Sequence, residues 1–196
     1  MWSWYKKQVE TYLIMKTEQM ILVNKMDEPI GTMEKLEVHQ RGLLHRAFSV
    51  FVFDKTGKFL LQQRAFSKYH SSGLWTNTCC SHPRPGENVL QAAKRRLNEE
   101  MGFETELSEI FSFIYKAEME NGLIEHEYDH VFTGVFNDVP HPNPEEVQGW
   151  CYSSIYGLKE KMVRNPQQFT SWFKIVFPKI EEWWNENYKN KESWSY

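Results

Sequence analysis

At 196 residues the chain is within the range of one domain and long enough to bury a sizeable core. It is 41% hydrophobic and 25% charged with a formal net charge of −3, the balance of an ordinary soluble enzyme, which gives no electrostatic argument for nucleic acid and obliges an anionic ligand to find a local basic pocket. Three cysteines, Cys79, Cys80 and Cys151, argue against a disulfide framework and for a reducing compartment, the cytoplasm, and no apolar run nears the roughly 18 to 20 residues of a membrane span.

Residues 1–18 are expected to be an N-terminal extension. Its opening, MWSWYKKQVETYLIMK, has neither a long apolar segment nor a small-residue cleavage site, so no signal peptide is expected. Trp2, Tyr5, Val9, Tyr12 and Leu13 recur at helical spacing, which fits either a short amphipathic helix or a frayed tail. From Met20 the pattern is strand-like: MILVN, a turn at Asp27-Glu28-Pro29, then Ile30-Gly31-Thr32. A short helix is expected over Glu34 to Gln40 and is broken by Gly42, with His39 and His45 flanking that glycine. Arg46 to Asp54, RAFSVFVFD, is apolar on both faces and predicts a strand covered on both sides. Asp54-Lys55-Thr56-Gly57 signals a turn, after which Lys58 to Arg64 is expected to return as the hairpin partner.

The stretch Trp75 to Phe103 runs from aromatic, cysteine and histidine residues through a Pro/Gly turn into a helix ending Glu99-Glu100-Met101-Gly102. Soft ligands and hard carboxylates within one span have the composition of a metal-dependent site. The predicted helix, Asn88 to Met101, carries Val89, Ala93, Leu97 and Met101 on one face, with Asn88 as N-cap and Gly102 as the stop. Arg95 lies four residues before Glu99 and Arg96 four before Glu100, a pattern that a solvated amphipathic helix with surface ion pairs would carry as well.

Glu109 to Met119 and Leu123 to Phe136 are expected to be paired strands joined at Glu120-Asn121-Gly122. Period-two alternation puts Glu125, Glu127 and Asp129 on one face and His126 and His130 on the other. Three acids in a row repel one another, and either a metal, a cationic partner or an open, hydrated sheet face relieves the repulsion. A proline-rich loop over Asn137 to Pro144, a strand over Val147 to Tyr152 and helices over Ser153 to Val163 and Pro166 to Tyr188 follow, the last with an apolar stripe of Phe169, Trp172, Phe173, Val176, Ile180 and Trp183. Without repeats or linkers, residues 19–188 read as a single domain and 189–196 as a tail.

Glu87, Arg95, Leu97, Glu99, Glu100, Gly102 and Phe103 reproduce the pattern of a Nudix box, with Ser81 where that box begins with Gly and Arg96 where it has Glu. With TNTCCSHP over residues 76–83, the chain resembles the type I isopentenyl-diphosphate isomerases, Nudix-fold enzymes that do no hydrolysis. The resemblance spans roughly Met20 to Tyr188 and implies an α+β fold with mixed sheets sandwiched by helices. It also implies interconversion of isopentenyl and dimethylallyl diphosphate by protonation and deprotonation through a tertiary carbocation. It assigns proton handling to Cys80 and Glu127 with Tyr115 beside the glutamate, and an aromatic face for the cation to Trp172, although Ser171 stands where a proline often precedes that tryptophan. His39, His45, His82, Glu125 and Glu127 are the implied ligands of one Mn²⁺ or Zn²⁺. Lys35, Arg64, Lys68 and Arg96 are implied around the diphosphate, with a Mg²⁺ on Glu100. The implied partner is a small allylic or homoallylic diphosphate, with no nucleic acid and no membrane, and the protein would be a monomer or weak homodimer. Glu87, Arg95, Glu99 and Glu100 would also serve a pyrophosphohydrolase, which Arg96 and the setting of Cys80 oppose. A non-catalytic metal-stabilised module is the third reading.

Overall fold

The strand that is apolar on both faces becomes the middle of the sheet. The structure, a computed structural model, describes residues 18–68, 70–119 and 122–188. The expected N-terminal helix or tail before residue 18, the tail from 189, and Glu120 and Asn121 of the expected hairpin turn lie outside the described residues.

Strand β1 (Gln19–Val23) pairs antiparallel with β2 (Pro29–Glu34), and α1 (Lys35–Arg41) follows, closed by Gly42 in the left-handed conformation at φ 58°. The central strand β3 (His45–Phe53) leads to β4 (Phe59–Arg64), and two short strands, β5 (Trp75–Thr76) and β6 (Cys79–Ser81), carry the cysteine segment. Helix α2 (Val89–Met101) then precedes the long antiparallel pair β7 (Ser108–Glu118) and β8 (Ile124–Val135). Strand β9 (Val147–Ser153) and helices α3 (Ile155–Arg164) and α4 (Ser171–Asn187) complete the described chain.

The sheet is mixed: β3 runs parallel to β8 over its whole length, from His45↔Glu127 to Phe53↔Val135, while the other pairings are antiparallel. Phe48, Val50 and Val52 pack with Ala92, Ala93, Leu97 and Met101 of α2. Phe51 and Phe53 point the other way, into Phe173, Val176, Phe177 and Ile180 of α4. The sheet is therefore covered by helices on both faces, as an all-apolar strand requires. No helix among the described residues is long and apolar enough to cross a membrane.

Strand β4 returns from the expected turn antiparallel to β3, but the hairpin is short: the Asp54 amide donates to the Lys58 carbonyl at 2.9 Å and Phe53 opposes Phe59, after which β4 runs against β9, from Phe59↔Ser153 to Arg64↔Val147. The edge of β3 that a longer hairpin would occupy is taken by β6, with Ser49 opposite Cys80. Side chains of the cysteine segment wedge the two strands apart and satisfy their backbones: Thr78 Oγ1 accepts from the Val52 amide at 2.9 Å and donates to the Leu60 carbonyl at 2.6 Å. The last helix also begins later than the stripe predicts. Pro166–Gln168 is a single 3₁₀ turn, and Phe169 and Thr170 are extended, because the Thr170 amide donates to the Trp75 carbonyl at 3.0 Å and Phe169 bridges Trp75. Within α4 the buried residue near the C-terminal end is Trp184, whose Nε1 donates to the Gly57 carbonyl at 3.0 Å, while Trp183 is only half-buried.

Candidate active site

Helix α2 presents its charged face to a cavity of about 510 Å³. Asn88 caps it by accepting from the amides of Leu90 and Gln91, and Gly102 ends it at φ 71°. Both expected ion pairs form, Arg95–Glu99 at 3.1 Å and Arg96–Glu100 at 2.6 Å, but only the first is a surface pair. Glu100 is buried and also accepts from Gln62 Nε2 at 3.0 Å. The side chain of Glu99 is 40% exposed and does not itself line the cavity, although it pairs with two residues that do, Arg95 at 3.1 Å and Arg96 at 3.0 Å.

At the deep end of the cavity, α1, β3, the segment after β6 and strand β8 bring His39, His45, His82 and Glu125 together, with one ligand atom of each within 4.8 Å of the others. His39 Nδ1 donates to the Lys35 carbonyl at 2.6 Å and His45 Nδ1 to the Leu43 carbonyl at 2.9 Å. Those bonds leave the two Nε2 lone pairs aimed inward, buried and without a hydrogen-bond partner. Glu125 Oε1 is 3.8 Å from His39 Nε2; Glu127 Oε1 is 3.6 Å from His45 Nε2 and 3.0 Å from His82 Nε2. Orphaned imidazole nitrogens facing carboxylate oxygens fit a borderline divalent metal. The acidic face of β8 is not a hydrated one: Glu125, Glu127 and Asp129 are 6%, 7% and 2% exposed. Burial and the neighbouring Glu127 push Asp129 well above the usual carboxyl range, and Ser49 Oγ donates to its Oδ2 at 2.8 Å. Burial, with Lys35 and His45, keeps His82 well below the usual imidazole value. For His39 burial acts the same way, but the facing Glu125 outweighs it and raises the group.

Cys80, Tyr115, Glu127 and Trp172 line the cavity between this cluster and the helix. Burial pushes the Cys80 thiol up, so it carries its proton. Burial would also raise Glu127, yet its hydrogen bonds and the charge of His45 prevail and hold the carboxyl below its ordinary range. Tyr115 Oη donates to Glu127 Oε2 at 2.7 Å. Trp172 is buried and has the Arg64 guanidinium 5.2 Å from its ring centroid.

Lys35, Arg64, Lys68 and Arg96 line the remaining wall. Lys35 meets Glu18 at 2.9 Å, Lys68 is in contact with Glu146, and Arg96 reaches Glu146 at 3.4 Å as well as Glu100. The residues that the resemblance implies for proton handling, diphosphate and metals thus lie in or directly behind one cavity. His126 and His130 are on the far face of β8, bonded to the Gly42 carbonyl and to Asp27 and Glu109. Sequence reasoning missed Gln62, His70 and Glu146. His70 Nε2 is 3.8 Å from Glu125 Oε1 and its ring meets Trp172 edge-on at 5.8 Å; burial and then Arg64 bring it down to about 3. None of the three sits in a periodic pattern, and each reaches the site through a strand pairing or a loop that composition does not signal.

The NUDIX domain model matches residues 43–173. The "Isopentenyl-diphosphate Delta-isomerase" of Serratia proteamaculans (strain 568) is 55% identical over 81% of this chain and 89% of its own. The protein of the same name from Pectobacterium atrosepticum is 49% identical over 91% and 99%. The chain belongs to the isopentenyl-diphosphate Delta-isomerase family of Nudix proteins. Solved Nudix-type neighbours speak for the fold. The DR0079 protein of Deinococcus radiodurans superposes with a TM-score of 0.63 at 18% identity, covering 75% of this chain and 90% of its own. The MutT protein of Methanosarcina mazei Go1 gives 0.58 at 15% identity, covering 71% and 94%. Against the Nudix box, this isomerase-family member has Arg96 bonded to Glu100 and turned toward the cavity where the box has Glu.

Proposed function

We propose that the protein interconverts isopentenyl and dimethylallyl diphosphate, with Cys80 and Glu127 as the two proton-handling groups. The single observation that carries this is that Cys80 and the Tyr115-bonded carboxylate of Glu127 share one cavity with Lys35, Arg64, Lys68 and Arg96. For isopentenyl diphosphate this casts Cys80 as donor to the alkene and Glu127 as acceptor from a different carbon, passing through a tertiary cation. The Trp172 ring offers a π-face to that cation, a contribution of about 2 kcal/mol when desolvated. Lys35, Arg64, Lys68 and Arg96 bind the diphosphate and fix which carbon faces each proton-handling group.

His39, His45, His82, Glu125 and Glu127 would hold one Zn²⁺ or Mn²⁺, and Glu100 a Mg²⁺ shared with the diphosphate. Bound there, the first ion neutralises the buried carboxylates and the second the phosphate charge. We read residues 19–188 as the working domain of a cytoplasmic monomer or weak homodimer. Pyrophosphate hydrolysis is disfavoured, because Glu99 is engaged by Arg95 and Arg96 and Arg96 takes the place of a carboxylate that would help position a hydrolytic metal.

NMR of isopentenyl diphosphate in D₂O with Mg²⁺ tests the reading. Deuterium should enter dimethylallyl product without phosphate release, and incorporation should vanish in Cys80→Ala and Glu127→Gln. Pyrophosphate cleavage, or undiminished turnover in both variants, refutes it.

A further inference from the structure

Gln62 is 2% exposed on β4, in the cavity wall, and its Oε1 has no hydrogen-bond partner. Its Nε2 donates to Glu100 Oε2 at 3.0 Å, which fixes the amide orientation, since the reverse would set an oxygen against a carboxylate. A buried carbonyl oxygen left bare costs about 1 to 3 kcal/mol unless something else satisfies it. Glu146 is in contact with Lys68 and 3.4 Å from Arg96 Nη2, the same nitrogen that meets Glu100 at 2.6 Å. With Glu99 at 3.0 Å from Arg96 Nη1, three carboxylates converge on one guanidinium, and one of them, Glu100, is shared with the Gln62 amide.

The charge balance of the cavity bears on this. It is lined by six basic and six acidic side chains, so it offers no net positive charge to a free diphosphate. An anion approaching Lys68 and Arg96 finds Glu146 already on both. A hard divalent cation travelling with the diphosphate removes this conflict: it takes the carboxylate oxygens, directly or through its waters, and leaves the cationic side chains for the phosphates.

We propose that Gln62 and Glu146 complete, with Glu100, a hard-oxygen seat for the divalent cation carried by the diphosphate, so that the cavity selects the cation–diphosphate complex over the free anion. This rests on the diphosphate-isomerase reading. Glu100 alone would tether a cation; Gln62 Oε1 accepts from one of its waters, and Glu146 makes binding of the bare anion unfavourable.

Calorimetric titration of the full chain with inorganic pyrophosphate, with and without Mg²⁺, tests the seat. The wild type should bind the Mg²⁺ complex about tenfold or more tighter than free pyrophosphate, the span expected for outer-shell ligands. Glu146→Gln should tighten the free anion and weaken the complex, collapsing that ratio. Gln62→Met, of similar length and without the amide, should weaken the complex about tenfold and leave the free anion unchanged. Should Gln62→Met not fold, Glu146→Gln, a substitution at a half-buried position, decides alone. A ratio unchanged in the folded variants, with isomerisation intact, overturns the seat and leaves the isomerase reading standing. Pyrophosphate that binds wild type in neither form overturns both.

Discussion

Glu127 is asked to be both metal ligand and acid–base group, and the geometry divides the work between its two oxygens. Oε1 faces His45 and His82, while Oε2 takes the Tyr115 hydroxyl at 2.7 Å. A hydrogen bond to a charged group is worth about 1.5 to 3 kcal/mol, so Tyr115→Phe should lower kcat roughly ten- to a hundredfold with little change in KM, as steady-state isomerisation would read. An unchanged kcat would make Tyr115 a packing residue. Cys80 and Glu127 could be named from the sequence only because the TNTCCSHP run and the Nudix box are specific. His82 falls within the TNTCCSHP run, whereas the imidazoles of His39 and His45 carry no such signature, and nothing in spacing indicates that both have their Nδ1 tied to a carbonyl. Gln62 reads as an ordinary strand residue until β9 and α2 close over it.

At the scale of elements, α2 depends on its ends and on one clasp. Gly102 at φ 71° has the His141 carbonyl oxygen 2.1 Å from where a Cβ would stand. Gly102→Ala should therefore cost about 2 kcal/mol or more, from the left-handed conformation and the clash together, read as a shift in the denaturation midpoint. Arg95 grips Glu87 through two bonds of 2.7 and 2.8 Å, holding the turn before α2 to the helix. The hydrogen bonds from Arg95 keep the Glu87 carboxyl below its ordinary value, against a slight opposing effect of burial. A carboxyl lowered on folding stabilises fully above its unfolded value of about 4.3 and loses that contribution as pH falls through its folded value. Glu87→Gln should thus cost up to about 1 kcal/mol at pH 7, and the two proteins should converge in acid; a difference constant with pH would exclude the ion pair as its source. The capping of α2 was legible because caps and ion pairs are local. The β3–β4 turn was legible for the same reason, but not how soon the two strands part, since a turn signal says that the chain reverses and not how far the ladder runs, and Thr78 arrives from a distant segment to take the next hydrogen bonds.

At the scale of the molecule, the metal-site side chains come from α1, β3, the segment after β6, and β8, so an ion there would tie together four separate parts of the chain. Zn²⁺ or Mn²⁺ at a hundred times its dissociation constant should stabilise the fold by about 2.7 kcal/mol. The thermal midpoint should rise accordingly in wild type and not in His45→Ala, and an equal rise in both would place the ion elsewhere. Phe173, fully buried and stacked on Phe59 at 5.9 Å, anchors the helix that carries Trp172. Phe173→Ala should cost about 3 to 5 kcal/mol, roughly 10 °C in midpoint. The two-sided burial of β3 was readable from its composition, whereas its parallel partner was not, since any of several apolar strands satisfies the same pattern. That parallel pairing sets when the protein becomes an enzyme. Ser49 and Asp129 lie 80 residues apart, and a slip of one residue between their strands would turn Glu125 and Glu127 outward and bring His126 and His130 in. Pairings of such separation form slowly and late, so during synthesis the chain is a protein with cysteine, histidine and glutamate but without a reaction, until its eighth strand has left the ribosome and found the third.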